Sequence, residues 1–135
     1  MILLDTSVLS LAFRRPRRAD AQPSEARRLA ELVERDEPLC IPGICLQELL
    51  SGVATEAQFT RLQRLLEPFP LLLATRDLHH AAARIHAACR RAGVATTSAD
   101  CLIAATAIEA RGQLFTADKD FARMRAHCAL VLFDS

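Results

Sequence analysis

The chain has 135 residues, 51% of them hydrophobic and 24% charged, with a formal net charge of +1. That length suits a single domain over 1–135 with a real core, and that apolar fraction excludes a disordered chain. No apolar run approaches the roughly 20 residues needed to span a bilayer, and no basic stretch precedes the N-terminal apolar run, so neither a membrane span nor a signal peptide is expected.

Taken in chain order, residues 2–4 predict a short buried strand. Thr6 or Ser7 can cap a short helix carrying Val8, Leu9 and Leu11. An Arg-rich loop then runs to about Gln22. Pro23 is placed as the first residue of a helix whose Ala26, Leu29, Ala30 and Val33 recur at helical spacing. Leu39 to Ile41 is a second strand, broken by Pro42 and Gly43. A helix with the stripe Cys45, Leu46, Leu49, Leu50 and Val53 follows. Thr55 to Gln58 fits a capping box that starts another helix, with Phe59, Leu62, Leu65 and Leu66 on one face. Leu71 to Ala74 is expected as a third buried strand.

Thr75 then caps a helix with Leu78, Ala81, Ala82, Ile85, Ala88 and Cys89 on its apolar face and Gly93 as its stop. Thr97 to Asp100 resembles another capping box, opening a nearly all-apolar helix to about Ala110, which Gly112 ends. Leu114 to Thr116 is a fourth strand, Asp118 to Met124 a short helix, and Leu130 to Phe133 a fifth strand. Strands and helices alternate, and the strands are unbroken apolar runs. The expected class is therefore α/β, three layers, with a central, mostly parallel five-stranded sheet covered on both faces.

Four acids stand where such a fold would not ordinarily put them. Asp5 ends the first strand, Glu48 interrupts an apolar helix, Asp100 opens another, and Asp118 follows the fourth strand. Ligands of parallel sheets bind beyond the carboxyl ends of the strands, where Asp5 and Asp118 lie; Asp100 and Glu48 lie near helix starts that can face the same edge. Carboxylates gathered there repel one another unless a cation relieves them, and hard divalent metals prefer oxygen ligands. Each acid also has a plainer reading. Asp5 can cap the helix at Thr6, although Thr6 and Ser7 do this without a charge. Glu48 can be a solvated helix residue, yet Ile44, Cys45, Ser51 and Gly52 surround it on the helix surface. Asp100 can be the reciprocal partner of Thr97, and Asp118 or Asp120 can cap the last helix. The functional reading is preferred for Asp5, Glu48, Asp100 and Asp118, with Asp120 as an additional acid.

Other chemistries find little support. The five cysteines are odd in number and lack C-x-x-C spacing, which indicates reduced core thiols in a cytoplasmic protein and argues against zinc. His79, His80 and His86 read as surface residues, and no Gly-rich phosphate loop is present. All but one of the 17 basic residues are Arg, and Arg14, Arg15, Arg17 and Arg18 form a candidate basic rim for a polyanion. With no Trp or Tyr, recognition of nucleic acid by shape and phosphate is expected over stacking on aromatic platforms.

The segments Leu3 to Leu9, Gln47-Glu48-Leu49, Asp100 to Ala107 and Phe115 to Phe121 together resemble the PIN-domain family, and within it the VapC-type toxins of prokaryotic toxin–antitoxin pairs. The resemblance covers essentially the whole chain. It implies a metal-dependent endoribonuclease in which Asp5, Glu48, Asp100 and Asp118 are catalytic and hold Mg²⁺ or Mn²⁺, with Thr6 or Ser7 as a polar helper. It implies an RNA substrate, a VapB-like antitoxin and a homodimer; since a cation is the simplest inhibitor of an acidic pocket, that antitoxin is expected to insert an Arg or Lys among Asp5, Glu48, Asp100 and Asp118. An amphipathic segment of that antitoxin is expected on the nearby helices, at Leu49 or Val53. Alternatives are a stand-alone PIN-type RNA-processing nuclease and a catalytically inactive PIN-like binding domain. A phosphotransfer domain would need an acceptor acid after Leu71 to Ala74, and a haloacid-dehalogenase-like phosphatase would need an acid at Ser7; neither is present.

Overall fold

A computed structural model describes residues 1–14 and 22–134. Four strands, β1 (Ile2–Leu4), β2 (Leu39–Pro42), β3 (Leu71–Leu72) and β4 (Gln113–Phe115), form one sheet in the order β3-β2-β1-β4. Every pairing is parallel, with Ile2 opposite Leu39 on one side of β1 and Gln113 on the other. Among the described residues seven helices surround it: α1 (Thr6–Leu9), α2 (Ser24–Glu34), α3 (Gly43–Ser51), α4 (Glu56–Leu66), α5 (Arg76–Arg91), α6 (Ser98–Glu109) and α7 (Asp120–Met124). A π-helical turn, Ser10–Arg14, continues α1. Neighbouring residues of a strand point to opposite faces, yet Ile2, Leu3 and Leu4 are all buried. Both faces of β1 are therefore covered, which is the three-layer arrangement expected.

The strand order fixes where a ligand can enter. From β1 the chain moves outward through β2 to β3, and β4 then returns to the opposite side of β1. The crevice of such a sheet lies where the order reverses, here beyond the carboxyl ends of β1 and β4. Asp5 leaves β1 at that point, and its backbone N–H donates to the Phe115 carbonyl oxygen of β4 (3.0 Å). The centre of the helical packing is α6, where Cys101 and Ile103 to Ala107 are all buried. Thr106, its one hydroxyl at that depth, donates to the Leu102 carbonyl oxygen within the helix (2.7 Å).

Several elements differ from the sequence expectation. The fifth strand, Leu130 to Phe133, is reduced to an isolated parallel bridge between Leu132 and Leu114. The third strand is two residues at the sheet edge and is not buried, with Leu71 41% and Leu73 72% exposed. Helix α2 starts at Ser24 with Pro23 as its cap, and it buries Leu32 while Val33 stays exposed. The last helix starts at Asp120, leaving Asp118 in the preceding loop. At the Thr55 box, Gln58 accepts the N–H of Ala54 while its own N–H donates to the Thr55 hydroxyl.

The end of α6 also works differently. Arg111 takes the left-handed conformation (φ 53°), and the Gly112 N–H closes on the Ala107 carbonyl oxygen (3.1 Å). Gly112 is needed for space: a β-carbon there would lie 2.5 Å from Leu3 Cδ1 and 2.9 Å from the Met1 carbonyl oxygen. Gly112→Ala should therefore push β1 off the turn and destabilise by about 1–3 kcal/mol, as overpacking does. The midpoint of urea unfolding measures this, and an unshifted midpoint would contradict the close approach.

Candidate functional site

The carboxylate of Asp5 is only 4% exposed. It does not cap α1: its backbone carbonyl accepts from Val8 and Leu9, and the side chain makes no cap bond. Instead Oδ2 accepts from two hydroxyls, Ser7 Oγ and Thr116 Oγ1, each at 2.7 Å. Those hydroxyls are themselves held by the loop after β4. The Ala117 N–H donates to Ser7 Oγ (2.9 Å) and the Asp118 N–H to Thr116 Oγ1 (3.0 Å). A chain of hydrogen bonds thus runs from backbone amides through two hydroxyls to one buried carboxylate, fixing Asp5 against the loop that carries Asp118.

Glu48, on α3, is solvent-exposed and accepts from Thr6 Oγ1 (2.8 Å). The two polar residues after Asp5 therefore divide the work, Thr6 orienting Glu48 and Ser7 orienting Asp5. Behind them, Cys45 Sγ is 3.9 Å from Asp5 Oδ1. Burial, reinforced by the Asp5 charge, pushes this thiol up to about 12, so it remains neutral at ordinary pH.

Asp100 lies in the first turn of α6, where its N–H donates to the Thr97 hydroxyl (3.1 Å). Its carboxyl is pushed up to about 6, first by burial; Asp118, Asp5 and Glu48 add to the rise, while the Thr97 hydroxyl opposes it. That three other acids raise its pKa means all four act on one locality. Ligand oxygens of Asp100, Asp118 and Asp120 lie within 4.8 Å of one another. Asp5 and Glu48 stand outside that trio and act on Asp100 through their charge. Asp118 Oδ1 also accepts the Asp120 N–H (2.9 Å), so one carboxylate steadies the turn that brings in the other.

Charge compensation is sparse. Among the described residues no Lys or Arg pairs with Asp5, Glu48, Asp100 or Asp118; Asp120 has an exposed contact with Arg123 at 3.4 Å. The donors are carboxylate oxygens, half-buried at Asp100 and exposed at Asp120, with no imidazole among the trio, a set that suits a hard divalent cation. Repulsion registered on Asp100 is what such a cation would relieve.

Sequence reasoning did not single out Thr116, although it lies between the end of β4 and Asp118. It also ranked Asp120 behind Asp118, whereas both belong to the trio. His79 and His80 are exposed, as expected, but His86 is half-buried, and His79 and His86 line a cavity. The Arg14 guanidinium donates to the Gly52 carbonyl oxygen, on the far end of α3. Arg15, Arg17 and Arg18 lie outside the described residues.

Residues 2–126 match the PIN domain family. Ribonuclease VapC11 of Mycobacterium tuberculosis is 37% identical over 123 residues, 90% of this chain and 89% of that protein. Among solved structures, FitAcB from Neisseria gonorrhoeae superposes with a TM-score of 0.77 at 25% identity, covering 99% of this chain and 97% of that one. VapBC2 from Rickettsia felis, bound to a DNA fragment from its promoter, gives 0.78 at 20% identity over 100% of this chain and 99% of its own; at that identity the likeness is one of fold.

Proposed function

The chain belongs to the PIN-domain family, and we propose that it is a divalent-metal-dependent endoribonuclease, the toxin of a VapBC-type pair. The observation that carries the reading is the acid cluster at the β1/β4 crevice, with Asp100, Asp118 and Asp120 in mutual reach and Asp5 and Glu48 acting on it. The 37% identity to a named ribonuclease supplies the substrate class.

In this reading Asp5, Asp100 and Asp118, with Glu48, hold Mg²⁺ or Mn²⁺, and Asp120 supplements them. A bound divalent ion would activate a water and neutralise charge on the scissile phosphate. The chain's own part is orientation. Ser7 and Thr116 restrain Asp5, Thr6 restrains Glu48, and the Thr97 cap fixes the first turn of α6 beneath Asp100. Ligands locked by such hydrogen bonds need little reorganisation when substrate arrives.

The antitoxin is read as a small protein that sets an Arg or Lys among the acids. Its amphipathic segment cannot use Leu49, which is fully buried, whereas Val53 is half-buried and lines a cavity with Phe13 and Leu62. An open cavity of about 490 Å³ between α2 and α4, with Phe13, Leu29, Val33, Leu65 and Phe69 in its walls, offers further apolar surface.

Incubation of the purified chain with total RNA tests the activity. Cleavage is expected with Mg²⁺ or Mn²⁺ and is lost in EDTA; undiminished cleavage in EDTA would overturn the metal mechanism. Co-purification with the product of an adjacent small gene should silence that cleavage. A chain that cuts RNA but has no such partner is better read as a stand-alone RNA-processing nuclease.

A further inference from the structure

We propose that the cavity between α3, α5 and the start of α6 receives an unpaired base of the RNA beside the scissile phosphate, with His79 and His86 as its positioning residues. This rests on the ribonuclease reading above and specifies where that substrate lies.

The cavity measures about 380 Å³, within the range of about 300–1,000 Å³ usual for small-molecule sites. Ile44, His79, Ala82, His86, Ser98 and Leu102 contribute to its walls. One of these walls continues directly into the acid cluster. Ile44 precedes Glu48 by four residues on α3, one helical turn on the same face. Ser98 and Leu102 stand two residues either side of Asp100 on α6, about 200° around the helix, so α6 gives the cavity a different face from the one that carries the acid. A base seated here therefore adjoins elements that carry two of the acids.

Charge favours the same occupant. Among the described residues no carboxylate lines the cavity, and its two imidazoles are the only side chains there able to carry positive charge. A polyanion approaching an acidic centre is better tolerated where the adjoining wall is neutral or cationic. His79 and His86 are seven residues apart on α5, two turns along one face, so both rings address one cavity.

Ring chemistry narrows the ligand further. The chain has no Trp or Tyr, and none of its six Phe residues lines this cavity. The imidazoles are thus its only flat π-faced groups. Histidine stacks on unpaired bases and also donates N–H to base edges or phosphate. Ile44, Ala82 and Leu102 supply apolar contact for the ring of a base. A base that enters such a slot must be unstacked, so the substrate class is single-stranded RNA or a loop.

The test compares the full-length wild type with a His79→Ala, His86→Ala double variant. Cleaved ends of total RNA are mapped, and steady-state kinetics are measured on one short single-stranded substrate. The wild type should show a nucleotide preference at one position flanking the cut, and the double variant should lose it. KM should rise about tenfold, as expected for one stacked base, with kcat changed less. Anisotropy with a labelled single-stranded oligonucleotide in EDTA should show a matching loss of affinity at unchanged melting temperature. If Ala at half-buried His86 costs stability, His86→Gln keeps hydrogen bonding and removes the ring. An unchanged cleavage pattern and KM overturn the proposal. So does an unchanged pattern accompanied by altered oligomeric mass or antitoxin affinity, which assigns the cavity to a protein interface. A wild type that cleaves no RNA sinks the ribonuclease reading itself, a distinguishable result.

Discussion

Asp5→Asn is expected to lower metal-dependent RNA cleavage by more than about 100-fold while leaving the metal-free protein at least as stable as the wild type. Losing a mere hydrogen-bond partner of a metal ligand costs about 10–100-fold, so losing a charge from the donor set should exceed that range. Stability should follow the opposite course. Asp5 is 4% exposed, and its charge adds to the unfavourable environment of Asp100. An asparagine oxygen can still accept from Ser7 and Thr116, while its amide faces the weakly accepting Cys45 sulfur. The buried shape and the two hydroxyl hydrogen bonds survive, and the repulsion falls. A residue retained for function against stability gives this divergence, whereas a structural aspartate gives a joint loss. Thermal melting in EDTA and cleavage with Mn²⁺ separate the two. A variant that melts markedly lower, or that keeps its activity, would remove Asp5 from the centre.

Why Asp5 could be noticed in the sequence, and Thr116 could not, follows from what each kind of signal encodes. A carboxylate directly after Ile2-Leu3-Leu4 is conspicuous because the strand is buried on both faces and a charge must end it. Alternation of strands with helices then fixes parallel pairing, and parallel pairing fixes which strand ends share an edge. Asp5 and Asp118 reach that edge by chain order alone. Thr116 matters only because Asp5 and the β4 loop face each other across the β1/β4 seam, a pairing that no local pattern announces. Asp120 entered the trio through the turn in which its N–H binds Asp118.

The misplaced elements have equally physical causes. Leu71 to Ala74 has the composition of a buried strand, yet it pairs only with β2 at the sheet edge and is partly exposed. Leu130 to Phe133 is apolar enough for a strand, but its packing includes Phe133 against Phe115 and it keeps only one bridge to β4. Leu32 and Val33 differ by one position, about 100° around a helix, and periodicity alone chose the wrong one. The histidine-lined cavity depends on how α3, α5 and α6 cross, which is a property of tertiary packing. Reading the imidazoles from their own helix alone assigned them to the surface, which holds for His79 and His80 but not for half-buried His86.

Metal affinity should rise about tenfold between pH 5 and pH 7 through Asp100 alone, and then level off. The ordinary aspartate value is 3.8, and in the folded protein Asp100 is raised to about 6. Burial is the main cause, with Asp118, Asp5 and Glu48 adding to it. The sign follows directly. A folded state that holds the proton more tightly has its full contribution from this group below 3.8 and loses it as pH rises through about 6. The metal-free protein is thus strained by Asp100 ionisation near neutrality, which is the form a cation needs. Binding must expel the proton below about pH 6, and above it the carboxylate is already bare. Thermal shift with increasing Mn²⁺ at the two pH values reads the difference. Stabilisation should be large at pH 7 and weak at pH 5 at the same metal concentration. Asp100→Asn should lose most of the pH 7 stabilisation and flatten the remaining pH dependence, since no proton is left to compete at that position. Equal affinity at both pH values in the wild type would show that Asp100 is not a ligand, whatever its neighbours do.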